Sequence, residues 1–97
     1  MAAYFLLNSV SVKDPELMEE YHVGVFETIQ HFGGECVVLG GPVIVVEGSP
    51  RLQAPQMLRF PSLRLAREWY DSPEYSALLV KRKLAGIFDA VFLEGID

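Results

Sequence analysis

The chain has one cysteine, two histidines and one tryptophan among 97 residues, and 8 basic side chains stand against 13 acidic ones. Cys36 has no second thiol for an internal disulfide or a thiolate metal cage, which fits a reducing compartment. The formal charge of −5 argues against a nucleic-acid partner, which needs a basic face to neutralise phosphates, and against an anionic membrane surface. No apolar run reaches the roughly 18 residues of a membrane span, and the start, Met1-Ala2-Ala3-Tyr4, has no basic leader region. The expected location is therefore the cytoplasm. Neither a G-x-G-x-x-G pattern nor a P-loop is present, so no nucleotide cofactor is expected; Gly33-Gly34 follows a helix, whereas anions are held at helix N-termini. His22 and His31 lie nine residues apart, about 180° around a helix, and cannot share one metal within a chain. No cofactor and no metal are expected.

What is present is globular composition, 51% apolar and 22% charged. The length suits a single domain over residues 1–97. Such a chain buries only about 60–70% of its unfolded surface and gains from covering more in an oligomer.

Residues 3–12 are rich in aromatic and β-branched types and read as a strand. Asp14-Pro15-Glu16 supplies cap, proline and acid for a helix to about Phe32, with Leu17, Tyr21, Val25 and Ile29 forming one apolar stripe. Gly33-Gly34 ends it. Glu35–Leu39 and Pro42–Glu47 are β-rich; Gly40-Gly41 between them is either a tight turn or a bend in one long strand, and the bend is favoured. A polar connection leads to a strand over Gln56–Phe60. Ser62 caps a short helix through Tyr70, and Ser72-Pro73-Glu74 starts another to about Leu84. Phe88–Glu94 is the last strand. The order β-α-β-β-α-α-β predicts an α+β fold, a ferredoxin-like βαββαβ sandwich with an antiparallel sheet and its helices on one face.

The other face of such a sheet should be polar if it meets water. Instead Tyr4, Leu6, Val10 and Val12 oppose Phe5 and Leu7, and Val91 and Leu93 oppose Phe88, Ala90 and Phe92. Both faces are apolar, as is the run Val43-Ile44-Val45-Val46. An open patch of this kind marks an interface, and the expected cover is a second copy of the same sheet.

Phe60-Pro61-Ser62 and Trp69-Tyr70-Asp71-Ser72-Pro73-Glu74-Tyr75, with Gly33-Gly34, Gly40-Gly41-Pro42, Glu47-Gly48, Tyr21, Arg82 and Glu94-Gly95, resemble a bacterial domain-of-unknown-function family, the one numbered thirteen-thirty. The resemblance spans essentially the whole chain. It implies a dimeric α/β barrel, a superfamily whose members include cofactor-independent monooxygenases, small isomerases and haem-processing proteins. Such kinship does not carry a reaction with it.

Candidate ligand-binding residues are Tyr21, His22, Trp69, Tyr75, Arg82 and Asp89. Tyr21, Trp69 and Tyr75 join apolar bodies to polar tips and either pack the core or line an aromatic pocket between helices and sheet. Gly24 in mid-helix would open space for that pocket. His22 borders the Tyr21 and Phe26 side of the helix, while His31 is expected to pair with Glu27 one turn earlier. Arg82 and Asp89 are expected to pair, or to hold a ligand carboxylate or act as a base. Glu47, at the end of the bent strand, carries the same choice, and Cys36 reads as an inert buried thiol. Two functions follow: a homodimer that binds or transforms a small apolar or aromatic metabolite without a cofactor, or a non-catalytic dimerisation module.

Overall fold

A strand needs partners, and those available to β1 (Ala3–Val12) organise the molecule. The computed structural model describes residues 1–97. In it β1 lies between β3 (Gln56–Phe60) and β4 (Gly86–Glu94), and β2 (Glu35–Leu39) pairs with β3. All neighbours are antiparallel, in the order β2-β3-β1-β4. With α1 (Pro15–Gln30), α2 (Leu63–Tyr70) and α3 (Pro73–Ala85) on one face, this is the expected α+β, ferredoxin-like arrangement, and its sheet is open.

The helix starts follow the cap signals. Asp14, Ser62 and Ser72 accept hydrogen bonds from the amides of Leu17, Leu65 and Tyr75, each three residues on. Gly33 takes a left-handed φ of 75° just beyond α1, a conformation that costs a glycine nothing. The helices α1 and α3 run antiparallel with Gly24 against Leu78. A Cβ on Gly24 would stand 2.9 Å from a Leu78 methyl. Gly24 therefore does not open a pocket: the space left by its missing side chain is filled by Leu78, which lets the two helices approach closely.

Two boundaries shift. The final strand begins at Gly86, two residues before Phe88, because β1 extends far enough to pair Val12 with it. The approach is tight enough that a Cβ there would meet the Ser11 carbonyl. The second correction is larger: Pro42–Glu47 is not strand. The ladder between β2 and β3 ends at the Leu39–Gln56 pair, because the chain before Gln56 turns to β1, where the Ser9 amide donates to the Gln53 carbonyl at 3.1 Å. A β-prone run with no strand beside it has nothing to pair with.

The expected two-sided sheet is present. Ala3, Phe5, Leu7, Leu58 and Phe60 face the helices and join Tyr21, Val25, Ile29, Trp69 and Tyr75 in one core. On the other face the register sets Tyr4 between Arg59 and Leu93, Leu6 between Met57 and Val91, and Asn8 beside Asp89. Val10, Ile87, Val91 and Leu93 are exposed there, whereas Val12, expected on this face, is shifted off it by a bulge in β1 between Ser9 and Ser11 that pairs Ser11 with Ile87 and Val12 with Gly86.

Candidate functional site

An apolar stripe on α1 and another on α3 leave polar atoms in the core wherever the stripe contains tyrosine or arginine, and those atoms must find one another. Tyr21 of α1 and Tyr75 of α3 do so: their hydroxyls meet at 2.7 Å, both residues buried. Trp69 donates its indole N–H to Thr28 Oγ1 at 3.0 Å, and Thr28 in turn donates to the Val25 carbonyl at 2.7 Å. The Trp69 and Tyr75 rings lie 4.1 Å apart between centroids. Four of the six candidate residues, Tyr21, Trp69, Tyr75 and Arg82, are thus gathered between helices and sheet.

Arg82 is the unusual member. Its side chain runs inward from α3 and leaves the residue only 4% exposed. Its guanidinium lies 5.8 Å from the Tyr21 ring centroid and 5.2 Å from that of Phe88. It takes part in none of the chain's ion pairs, which are His31–Glu74, Arg59–Glu35, Arg59–Asp97, Arg64–Glu68 and Lys81–Glu20. Its Nε is buried without any hydrogen-bond partner. Burial works against the charge, but the Tyr75 and Tyr21 oxygens beside it outweigh that and the guanidinium stays protonated. Burial also pushes the Tyr21 phenol far above its ordinary value, Tyr75 adding to the rise and Arg82 opposing it. The Tyr75 phenol is raised for the same first reason, again with Arg82 pulling the other way.

His22 is half-buried at the edge of this cluster, its ring 5.7 Å from that of Tyr21. Its Nε2 accepts from the side-chain amide of Gln56 at 2.6 Å. Gln56, Tyr21, Phe26 and Leu58 help line a gap between α1 and the sheet of only about 10 Å³. That is the room of roughly one water, far short of the ~300 Å³ at which ligand pockets begin. The expected aromatic pocket is therefore filled by its own side chains.

Asp89 is elsewhere. The alternation along β4 puts Phe88 on the helix side and Asp89 on the open face, so it cannot reach Arg82, and no bond joins them. Instead Asp89 lines two neighbouring grooves of about 360 and 440 Å³ on the open face, together with Asn8, Arg51 and Leu52. Asn8 shapes that corner: its amide donates to the Arg51 carbonyl at 2.9 Å and its oxygen accepts from the Gln53 amide at 2.7 Å. His31 also differs from expectation. Its Nδ1 meets Glu74 Oε2 at 2.8 Å, not Glu27, because the antiparallel packing brings the acidic first turn of α3 to the end of α1. Glu47 is exposed and Cys36 partly buried, its thiol raised by burial. No group of three or more His, Cys, Asp or Glu is placed to hold a metal ion, and no helix is long and apolar enough to cross a membrane. Asn8, Thr28 and Gln56 escaped the sequence reading, although a lone amide in an apolar strand and a lone hydroxyl beside an apolar helix stripe were signals that could have found them.

Against known proteins, residues 2–96 match the family described as Domain of unknown function (DUF1330). No functionally curated protein matches the chain. A structure of a protein of unknown function from Rhodopseudomonas palustris is similar at 17% identity and a TM-score of 0.72, over 99% of this chain and 83% of that one. A Caulobacter crescentus protein provisionally named an antibiotic biosynthesis monooxygenase is similar at 8% identity and 0.63, over 99% and 90%. A dimeric protein of unknown function with a ferredoxin-like fold from Bacteroides fragilis gives 12% and 0.53, over 97% and 95%. At these identities the likeness is one of fold.

Proposed function

We propose, for a chain that belongs to the DUF1330 family, that it is a cytoplasmic, single-domain homodimer closed through its open sheet face, each subunit binding a small apolar or aromatic metabolite without a bound cofactor. The observation that carries the ligand reading is the Arg82 guanidinium, buried and charged with no carboxylate and with Nε unbonded. A buried charge is costly, by several kcal/mol for a typical ion, and here only the Tyr75 and Tyr21 oxygens stand against that cost. A site that retains one is suited to an anion arriving from outside. The metabolite then carries an acidic oxygen, a carboxylate, enolate or phenolate, which Arg82 anchors, while the hydroxyls of Tyr21 and Tyr75 supply further hydrogen bonds and Trp69 a flat apolar wall. Entry requires the side chains around Arg82 to move, since no cavity in the structure is lined by Arg82, Tyr75 or Trp69. Chemistry at this site would use the charge of Arg82 to stabilise an oxyanion formed from the ligand, with no cofactor in the step.

The dimer is supported by the exposed Val10, Ile87, Val91 and Leu93 on one continuous face. Cytoplasmic residence is supported by the free thiol of Cys36.

The test is native mass spectrometry of protein purified without added ligand, followed by thermal titration with benzoate and with benzyl alcohol, wild type against Arg82→Met. The expected result is a dimer, stabilised by benzoate and not by the alcohol. The methionine variant should be as stable as wild type or more so, since a buried charge is replaced by a matched apolar chain, and blind to benzoate. A destabilised variant whose response to benzoate is unchanged would make Arg82 structural.

The second reading, a non-catalytic dimerisation module, is favoured by the 10 Å³ gap. It predicts a dimer with no retained mass and no response to either probe.

A further inference from the structure

The open side of the sheet carries a recess of its own, on the opposite face from Arg82. Its floor is two rows of paired residues on β1 and β4. Leu6 pairs with Val91 and Asn8 with Asp89, so an apolar row lies beside a polar one on the same face. Its wall is the end of the β2–β3 connection, which folds over Asn8 before joining β3. Three hydrogen bonds hold that wall: Asn8 Nδ2 donates to the Arg51 carbonyl at 2.9 Å, the Gln53 amide donates to Asn8 Oδ1 at 2.7 Å, and the Ser9 amide donates to the Gln53 carbonyl at 3.1 Å. Asn8 is therefore only 8% exposed although it stands on the open side of the sheet. Between floor and wall lie the grooves of about 360 and 440 Å³, both of a size that takes a small molecule and both lined by Asn8, Arg51, Leu52 and Asp89.

Three polar side chains meet there with bonding capacity unspent. An amide side chain offers two N–H donors and two lone pairs. Asn8 spends one of each on the wall, and because one bond goes to a carbonyl and the other comes from an amide, they also fix which way its side chain is turned. Neither Arg51 nor Asp89 enters any of the chain's ion pairs. Opposite charges thus border the same groove without bonding to each other. A plain acid placed there is repelled by Asp89 and a plain amine by Arg51. Satisfying both takes a molecule with one group of each sign, and Leu6, Val91 and Leu52 alongside favour an apolar remainder.

We propose that this groove binds a small aliphatic zwitterion, an α-amino acid with an apolar side chain being the simplest of the class. Its carboxylate lies against the Arg51 guanidinium and its ammonium against the Asp89 carboxylate. The spare N–H and lone pair of Asn8 serve the two groups from the floor, and the hydrocarbon rests on Leu6, Val91 and Leu52. Every lining residue comes from one chain, and the groove and Arg82 lie on opposite faces of the sheet, so this site stands or falls apart from the Arg82 reading.

Amide chemical shifts of the full chain test it, followed during titration with L-leucine, with its deaminated counterpart isocaproate and with its decarboxylated counterpart isoamylamine. L-Leucine should move the amides of residues 6–9, 51–53 and 89–91 saturably, and each counterpart should bind at least ten-fold more weakly. Asp89→Asn should weaken L-leucine at least ten-fold without weakening isocaproate, and Arg51→Gln should weaken L-leucine at least ten-fold without weakening isoamylamine. Both side chains are exposed, so both variants keep the fold. No saturable response to L-leucine at millimolar concentration would overturn the site, as would equal binding of the three probes or variants that bind L-leucine as the wild type does. Shifts confined to the neighbours of Arg82 would overturn it too, while supporting the site on the other face.

Discussion

The two faces of one sheet have the same kind of sequence and opposite fates. Phe5 and Leu7 of β1 are sealed beneath helices while Val91 and Leu93 of β4 meet solvent, although all four are large and apolar. Hydrophobicity is common to both faces; what differs is whether the chain has an element left to cover them. Three helices on one side exhaust the supply, and the other side is left open in the single chain. Burial inside one chain should set the stability of a subunit, and the open face should set only its association.

Four measurements sharpen or break that contrast. The largest effect belongs to the covered face: Trp69→Ala should cost about 3–5 kcal/mol in urea unfolding, because it leaves a large cavity and removes the hydrogen bond that Thr28 Oγ1 accepts. A loss under about 1 kcal/mol would mean the helix face is not the core that its burial indicates. Next is the open face. Val91→Asp should leave subunit folding by circular dichroism intact and weaken dimerisation by about a hundred-fold, close to 3 kcal/mol. Unfolding of the variant at any dilution would merge the two roles.

Third, the covered face should respond to alkali. Tyr21 and Tyr75 are raised in the fold above their ordinary value of 10.0, so the unfolded chain loses those protons first. Their contribution is fully present below about pH 10 and is lost as pH climbs from there towards the folded values, by up to about 1.4 kcal/mol per unit per phenol. Unfolding midpoints measured from pH 8 to 11 should fall above about pH 10 in the wild type and fall less there in the Tyr21→Phe/Tyr75→Phe double variant. The smallest effect is at the rim, where His31→Ala should change stability by less than about 1 kcal/mol despite its 2.8 Å contact with Glu74, since both partners are largely in water.

Local signals and alternation carried most of the fold. The cap-proline-acid pattern at Asp14-Pro15-Glu16 and Ser72-Pro73-Glu74 placed two helix starts, and the two-residue period placed both faces of the sheet along β4 and along β1 as far as Ser9, where a bulge interrupts it. What failed was whatever depended on a distant partner. Pro42–Glu47 has the composition of a strand, but composition cannot say whether another strand lies alongside. His31 found Glu74, forty-three residues away, in preference to Glu27 one turn away, because helix packing and not sequence spacing decided which carboxylate came near. The candidate site was half legible for the same reason. Aromatic and arginine residues at helical spacing announced a polar cluster in the core, while the separation of Arg82 from Asp89 required knowing on which side of β4 each would fall.

The Asn8 bridge has a bearing on how such a protein can change over time. By gripping Arg51 and Gln53 through one side chain, it anchors the return of the β2–β3 connection before β3 begins. Residues between Gly41 and Pro50 can then be lengthened, shortened or rewritten without disturbing the register of any strand. Mutation in that stretch would rewrite an exposed surface while leaving the sheet intact, so the connection can drift while the fold stays under selection.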